Sequence, residues 1–373
     1  MRCVIIILLL NILGIEGNAQ LILLENPPRN YVCYRSSGEI QMDGQLNETC
    51  WKNVPWTDNF TDIEGGLKPA PYYRTRVKML WDDNYLYIAA ELEEPHIWAT
   101  FTERESVIFH ENNFEVFIDP DGDTHNYYEY EVNALGTEWD LMLTKPYRFG
   151  GLPISAWDIA GMKKGIYLNG SLNDPSDTDI SWTIEMAFPW KILAEAAPYL
   201  SKPEPGNQWR INFSRVQWKL DVADGKYRKS INPETDRSFP EYNWVWSPQH
   251  TINMHKPEYW GFVQFSENQA GTEKEAFRND PDFKIRVILR ELFDQQYKYM
   301  HKHNRFAVSA QELKISAEMF AGIEVTFEAS AKRFMLSAVS SEEGFRWFIT
   351  EDSRIWKAKD NIPREILPGH YNH

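Results

Sequence analysis

The segment from residue 114 to residue 133 constrains the fold more than any other part of this chain. It contains two alternating runs, 114–118 and 128–133, joined by an acidic turn. In the second run, aromatic and aliphatic residues occupy every other position, and acids and an amide occupy the positions between. Because successive side chains of a strand point to opposite faces, this pattern predicts a β-hairpin with one core face and one polar face. The polar face is free either to meet solvent or to bind a polar ligand.

Similar alternation recurs from about residue 31 to residue 266, with few convincing helices. Strands are predicted by this pattern at 77–80, 86–92, 182–188 and 209–214. One short, Ala-rich helix is predicted over 189–197. Many short strands separated by turn residues indicate two packed sheets. The predicted fold class is mainly β: a two-sheet antiparallel β-sandwich over 20–267 with a small C-terminal α+β domain.

Residues 281–373 are predicted to form that second domain. The preceding segment, 268–280, is polar, lacks aliphatic side chains and is interpreted as a linker. Apolar residues then recur at helical spacing from Ile285 to Tyr299, and Ser309 and Glu312 form a capping box that opens a second helix. Strands are predicted at 323–327, 333–337 and 345–349. The role of this domain is not evident from its residues.

The first 19 residues are predicted to be a cleaved secretory signal peptide. Arg2 precedes an almost unbroken apolar run from Cys3 to Ile15, and small residues precede a cleavage site before Gln20. A membrane anchor would need roughly 20 apolar residues, and this run is shorter. The mature protein is therefore expected to be secreted, periplasmic or at the cell surface, without a membrane span.

Two cysteines, Cys33 and Cys50, remain after cleavage. In an oxidising compartment such a pair is more often bonded than free. A disulfide between them is therefore predicted, and closing the loop would contribute about 3 kcal/mol. The alternative is that Cys50, beside Trp51, is simply a buried apolar residue.

The net charge of −15 excludes some classes of ligand. Nucleic acid and anionic membranes require a basic surface, so neither is expected as a partner. Acidic sugars are disfavoured for the same reason. The chain also has 15 tryptophans and 18 tyrosines. Most of these rings are expected to fill the core, but they also supply flat apolar surfaces of the kind that stack on sugar rings.

An ordered series of motifs resembles the family 9 carbohydrate-binding module-like domains and covers about two-thirds of the chain. No single motif is decisive, but their order along the chain is that of the family. The motifs lie at 40–51, 77–88, 114–123, 127–140, 181–190, 209–215, 243–248 and 260–265. The resemblance implies a non-catalytic β-sandwich that binds poly- or oligosaccharide and serves polysaccharide capture or catabolism. It also implies association with secreted glycoside hydrolases.

The resemblance implies a binding site as well. The carboxylate of the family site corresponds to Glu115, and the first of its two aromatic side chains corresponds to Phe109. The second aromatic falls near Met254 and His255, where Trp246 is the alternative wall. Glu131 occupies the position of the family's arginine, so the ligand is expected to differ in detail.

Further candidates for sugar contact also have structural alternatives. The candidates are Asn133, Trp139, Arg215 and His255. Glu115 could instead be an ordinary outer-face carboxylate, Phe109 and Trp246 could be core residues, and Arg215 could be a buried structural partner.

Asp119, Asp121 and Asp123 place hard oxygen ligands at alternate positions, which suits calcium. A plain acidic turn is the preferred interpretation, with a structural calcium site as the alternative, and no other cofactor is expected. A glycoside hydrolase would need paired carboxylates, for which Glu115, Glu131 and Glu185 are the candidates. The sequence contains none of the common hydrolase, protease or phosphate-loop motifs, so binding without catalysis is the preferred hypothesis.

Overall fold

The computed structural model describes residues 23–315, 320 and 322–360. Contacts divide these residues into two compact units, one of which is Pro28–Arg278. The other contains the residues from Asn279 onward together with 23–27. The predicted signal peptide, 1–19, lies outside the described residues. Among the described helices, none is both long and apolar enough to cross a membrane.

Short strands dominate the first unit, as the alternating sequence pattern predicts. They are β1 Asn30–Arg35, β2 Thr61–Asp62, β3 Thr75–Trp81, β4 Tyr85–Glu93, β5 Asn113–Asp119, β6 Tyr127–Asn133, β7 Glu138–Leu143, β8 Pro153–Ile154, β9 Lys163–Asn169, β10 Ser181–Pro189, β11 Gln208–Gln217, β12 Leu220–Ala223, β13 Lys226–Lys229, β14 Ile231–Asn232, β15 Arg237–Ser238, β16 Tyr242–Val245 and β17 Gly261–Gln269. Two short helices, α1 Thr49–Lys52 and α2 Trp190–Leu193, lie between them. Turns of 3₁₀-helix also occur, including Ile108–His110 and Tyr147–Phe149.

Thirteen of these strands form one large sheet in the order β8-β7-β6-β5-β11-β17-β1-β3-β4-β10-β9, with β16 and β2 attached beside β11. Side chains from both halves of this order share one core cluster, and the rings of Tyr130 and Phe188 meet edge to face at 5.6 Å. The predicted β-sandwich is therefore confirmed. It is mixed rather than purely antiparallel, because β1 pairs in parallel with both β17 and β3.

The inward face of the β5–β6 hairpin is as predicted. Tyr128, Tyr130 and Val132 are at most 1% exposed and belong to the core. The outward face differs from a solvated surface, since Glu129 and Glu131 are only 6% and 2% exposed. Loops from distant parts of the chain cover this face, which a period-two pattern cannot predict.

The segment interpreted as a linker, 268–280, is mostly packed on the sandwich. Strand β17 continues to Gln269, and Glu275 accepts hydrogen bonds from Gln264 Nε2 at 2.8 Å and Ser266 Oγ at 2.5 Å. The ring of Phe277 lies 6.1 Å from that of Phe262. The linker prediction is wrong for 268–278, because hydrogen bonds of polar side chains and the ring contact of Phe277 dock this segment on the sandwich.

The second unit contains a long helix, α3 Phe283–His303, and a short one, α4 Ala310–Leu313. The Ser309 side chain accepts a hydrogen bond from the Glu312 backbone N–H, as expected for its capping role. Four antiparallel strands follow: β18 Val325–Ala329, β19 Phe334–Val339, β20 Phe345–Thr350 and β21 Ile355–Lys359. The first three were predicted from sequence, whereas β21 was not.

The predicted disulfide is absent, because Cys33 and Cys50 are both free and buried. Cys33 lies within β1 and is 0% exposed, and Cys50 lies in α1 and is 3% exposed. Both belong to the main core cluster beside Trp51. The structure thus favours the alternative interpretation, in which the thiols pack as small apolar groups.

Candidate functional site

Three glutamates lie side by side on the outer face of the β5–β6 hairpin. Glu115 on β5 pairs directly across from Glu131 on β6, and Glu129 is the next outward-facing residue along β6. Their exposed fractions are 5%, 2% and 6%. We call this group the carboxylate row. It is an uncommon arrangement, because burying carboxylates beside one another is unfavourable unless something compensates their charge.

Burial perturbs the protonation of all three acids. It raises the pKa of Glu115 to about 7, and burial together with the charge of Glu115 raises the pKa of Glu129 to about 8. Burial and its two neighbours raise the pKa of Glu131 well above the usual range. Near neutral pH the carboxylate row therefore contains both proton donors and acceptors. Such a mixed set can hydrogen-bond to hydroxyl groups in either direction.

Two exposed aromatic rings border the carboxylate row. Phe109 is 37% exposed and Tyr147 is 42% exposed. The backbone N–H of Phe109 donates to Glu131 Oε2 at 2.9 Å, and its carbonyl accepts from Trp218 Nε1 at 3.1 Å. These bonds fix the Phe109 loop beside the row.

Tyr147 was not identified from sequence, although its position between Pro146 and Gly150 marks an exposed loop. Burial, followed by the charges of Glu129 and Glu131, raises the pKa of its phenol to about 12. The adjacent Arg148 anchors the turn, since its guanidinium donates to Glu258 at 2.7 and 3.0 Å. A planar aromatic ring held beside carboxyl groups is suited to stacking on a sugar ring while its hydroxyls are hydrogen-bonded.

His255 lies at the same face. Its Nδ1 is 3.0 Å from the Tyr127 hydroxyl, and its ring meets that of Tyr147 edge to face at 4.6 Å. Burial and the nearby charge of Arg148 lower the pKa of His255 to about 4, so the imidazole is neutral at physiological pH. Trp139 pairs opposite Glu131 and packs on the outer apolar cluster formed by Phe117, Tyr127, Leu141, Leu143 and Trp260.

Asn133 is committed to structure. Its amide donates to Phe101 O at 2.9 Å and to Glu111 Oε1 at 2.7 Å, and its oxygen accepts from the backbone N–H groups of Leu135 and Thr137, both at 3.0 Å. These four bonds use both donors and both lone pairs of the side chain. Asn133 therefore has no free polar group with which to make the predicted ligand contact.

Arg215 and Trp246 also fall outside the carboxylate row. Arg215 is 1% exposed and donates to Glu94 Oε2 at 2.9 Å, which makes it the buried structural partner that was its alternative interpretation. Trp246 is 1% exposed in the core, and a Cβ atom on Gly261 would come within 2.3 Å of its ring. Trp246 therefore cannot provide the second aromatic wall of the family site. Tyr147, an exposed ring beside the carboxylate row, is the candidate for that wall.

Glu185, a candidate for a catalytic carboxylate, instead fixes a turn. It is 0% exposed, and its oxygens accept hydrogen bonds from Gly44 N at 2.9 Å, Asp43 N at 3.2 Å and Trp51 Nε1 at 2.7 Å. It lies on β10, in the other half of the sheet order from Glu115 and Glu131. Glu185 is therefore separated from Glu115 and Glu131, the other two candidates for paired carboxylates.

The aspartates of the β5–β6 turn do converge. Oxygens of Asp119, Asp121 and Asp123 lie within 4.8 Å of one another, as a hard cation would require. The same turn is also closed by its own hydrogen bonds, since Asp119 accepts from Gly122 N at 2.9 Å and Thr124 N at 3.0 Å. The carboxylate oxygens suit calcium and the hydrogen bonds suit a plain acidic turn, so both interpretations stay open.

The sequence profile of the carbohydrate family 9 binding domain-like family matches residues 42–264. The chain belongs to this family. The resemblance stated from its motifs is thereby confirmed, and the function that membership assigns is non-catalytic carbohydrate binding.

Two curated proteins and one solved structure illustrate the relationship of this family 9-like chain to known proteins. Over 157 residues, 42% of this chain, it is 26% identical to endo-1,4-beta-xylanase A of Thermoanaerobacterium saccharolyticum and 28% identical to exoglucanase XynX of Acetivibrio thermocellus. The match spans only 11% and 12% of those proteins. A family 9 carbohydrate-binding module from Caldicellulosiruptor kristjanssonii in complex with cellotriose is 16% identical, with a TM-score of 0.40, over 66% of this chain and 99% of that one.

Proposed function

We propose that the chain captures poly- or oligosaccharides at the outer face of the β5–β6 hairpin. The observation that carries this assignment is the carboxylate row between two exposed rings, Phe109 and Tyr147. Sugar recognition needs a flat apolar surface beside hydrogen-bonding groups, and this face offers both. Glu115, Glu129 and Glu131 supply the hydrogen bonds, while His255 and Trp139 support the wall.

The protein is proposed to be secreted and to serve polysaccharide breakdown alongside glycoside hydrolases. Support comes from the apolar N-terminal segment and from the names of the curated relatives, a xylanase and an exoglucanase. The proposal assigns catalysis to the partner enzymes and capture to this chain.

A glycan array with the full mature chain tests the binding proposal. We expect retention of at least one neutral or basic glycan class and no turnover of the bound glycan. Replacing Phe109 or Tyr147 with alanine removes a ring that buries about 60 Å² of sugar surface, which corresponds to roughly tenfold weaker binding.

Tyr167→Ala is the matched control, because Tyr167 is similarly exposed, at 43%, but lies on β9 at the opposite end of the sheet order. Equal losses in all three variants would place the site elsewhere. Absence of binding to any glycan would overturn the proposed function itself.

A further inference from the structure

Within the part of the chain that the structure describes, the carboxylate row places three buried acids together without a basic side chain to pair with them. No arginine or lysine of the described residues forms an ion pair with Glu115, Glu129 or Glu131. Hydrogen-bond donors to the row include Asn113 Nδ2, 3.2 Å from Glu115 Oε1, and the backbone N–H of Phe109, which donates to Glu131. The neighbouring cation, Arg148, is engaged by Glu258 and by the His255 carbonyl.

Glu129 is the least satisfied of the three. Its Oε2 atom is buried and has no hydrogen-bond donor among the described residues, although the side chain is only 6% exposed. Buried polar atoms are nearly always hydrogen-bonded, so an atom such as this one points to a missing partner. A partner with hydrogen-bond donors would satisfy this oxygen, and a positive charge on that partner would also stabilise the ionised forms of the three acids.

The spacing of the carboxylate row does not suit a single metal ion. The three-carboxylate groups whose oxygens gather within 4.8 Å among the described residues are Asp119–Asp121–Asp123 and Asp43–Glu48–Glu185, and the row is not one of them. Its acids are instead distributed along and across two strands. An extended organic ligand matches this distribution better than a point charge does.

We propose that the carboxylate row binds glycans that carry protonated amines, such as oligomers of glucosamine. This inference rests on the proposed carbohydrate-binding function and specifies its ligand. An ammonium group supplies three donors and a positive charge, and hydrogen bonds between ions are about twice as strong as neutral ones. Phe109 and Tyr147 add ring faces that attract cations. The overall charge of −15 favours encounter with a basic glycan.

Three ligands that differ at one position test this inference by titration calorimetry. They are oligomers of glucosamine, glucose and N-acetylglucosamine with the same length and linkage, which carry an ammonium, a hydroxyl and an acetamide at the same carbon. At about pH 7 and low salt, we expect glucosamine oligomers to bind roughly tenfold more tightly than the other two. Raising the salt from about 0.05 M to about 0.5 M should remove most of this preference, because added ions screen charge interactions.

The variants Glu129→Gln and Glu115→Gln keep side-chain shape but cannot ionise when an ammonium group binds beside them. In each, we expect the preference for glucosamine over glucose oligomers to fall several-fold. Glu39→Gln is the control, because Glu39 is an exposed acid of the same unit and its loss should leave the preference unchanged.

The possible results distinguish the amine proposal from the carbohydrate-binding function on which it rests. Equal or tighter binding of glucose oligomers by the unaltered protein overturns the amine proposal and leaves carbohydrate binding intact. A glucosamine preference that Glu39→Gln reduces as much as Glu129→Gln overturns the site, since it would then reflect overall charge. Binding of none of the three oligomers, nor of any glycan on the array, overturns both proposals.

Discussion

Replacing Glu129 with glutamine should stabilise the ligand-free protein, and more so at high pH. Glutamine has nearly the same shape but cannot ionise. The pKa of Glu129 rises from the ordinary value of 4.5 to about 8, first because of burial and then because of the charge of Glu115. The substitution therefore removes a carboxylate that the folded protein ionises only at a cost.

The sign and size of the effect follow from proton linkage. Between about pH 4.5 and pH 8 the folded protein keeps a proton on Glu129 that the unfolded chain has released, so stability falls as the pH rises. One pKa unit corresponds to about 1.4 kcal/mol, which gives an upper limit of roughly 5 kcal/mol above pH 8. We expect the variant to recover about 2–4 kcal/mol there, because its own amide also needs partners. Below about pH 4.5 the two proteins should be equally stable.

Urea unfolding at about pH 5 and about pH 8.5, followed for the Pro28–Arg278 unit, measures the difference. Glu111→Gln is the matched control. Glu111 is also buried, at 1% exposed, but its oxygens accept bonds from Thr100 N at 2.7 Å, Phe101 N at 3.1 Å and Asn133 Nδ2 at 2.7 Å.

An amide at position 111 would lose several charge-assisted bonds, so we expect that variant to be about 2–4 kcal/mol less stable at both pH values. The reasoning is refuted if the unaltered protein gains stability from pH 5 to pH 8.5. It is also refuted if Glu129→Gln is as destabilising as Glu111→Gln.

Three further results are expected. Arg215→Met should destabilise the protein by about 3–5 kcal/mol in urea unfolding, because it leaves Glu94 buried without its partner; adding Glu94→Gln should recover part of the loss, and no recovery would argue against the pair. Thiol reagents should label Cys33 and Cys50 stoichiometrically after unfolding without reductant and hardly at all before it, whereas unlabelled unfolded protein would restore the predicted disulfide. If the turn that begins at Asp119 binds calcium, EDTA should lower the melting temperature and added calcium should restore it; an unchanged melting temperature would favour the plain acidic turn.

Local sequence patterns predicted the secondary structure of the sandwich well. The alternation in β6 placed Tyr128 and Tyr130 in the core, and the hairpin predicted at 77–80 and 86–92 corresponds to β3 and β4. These predictions succeed because strand periodicity is a property of neighbouring residues. The parallel pairing of β1 with β17 joins segments more than 200 residues apart, and no local pattern specifies it.

The site was harder to predict than the fold because it depends on how loops cover one face. The sequence shows that Glu129 and Glu131 point away from the core, but it does not show that loops carrying Phe109, Tyr147 and His255 bury them. Trp246 illustrates the opposite difficulty. A tryptophan near the closing strand could face a ligand or the core, and the close approach of Gly261 decides for the core only once the strands are packed.

The contrast between Glu111 and Glu129 also distinguishes a structural acid from a functional one. Both are nearly inaccessible, but the oxygens of Glu111 are fully engaged by the loop that they hold, whereas Glu129 keeps a buried oxygen without a donor. The first arrangement stabilises the fold, and the second costs stability in the absence of ligand. Buried polar groups that lack a partner and cost stability tend to be concentrated at functional sites. Since the same face presents two exposed aromatic rings, the cost is best explained by a ligand whose donors complete the carboxylate row.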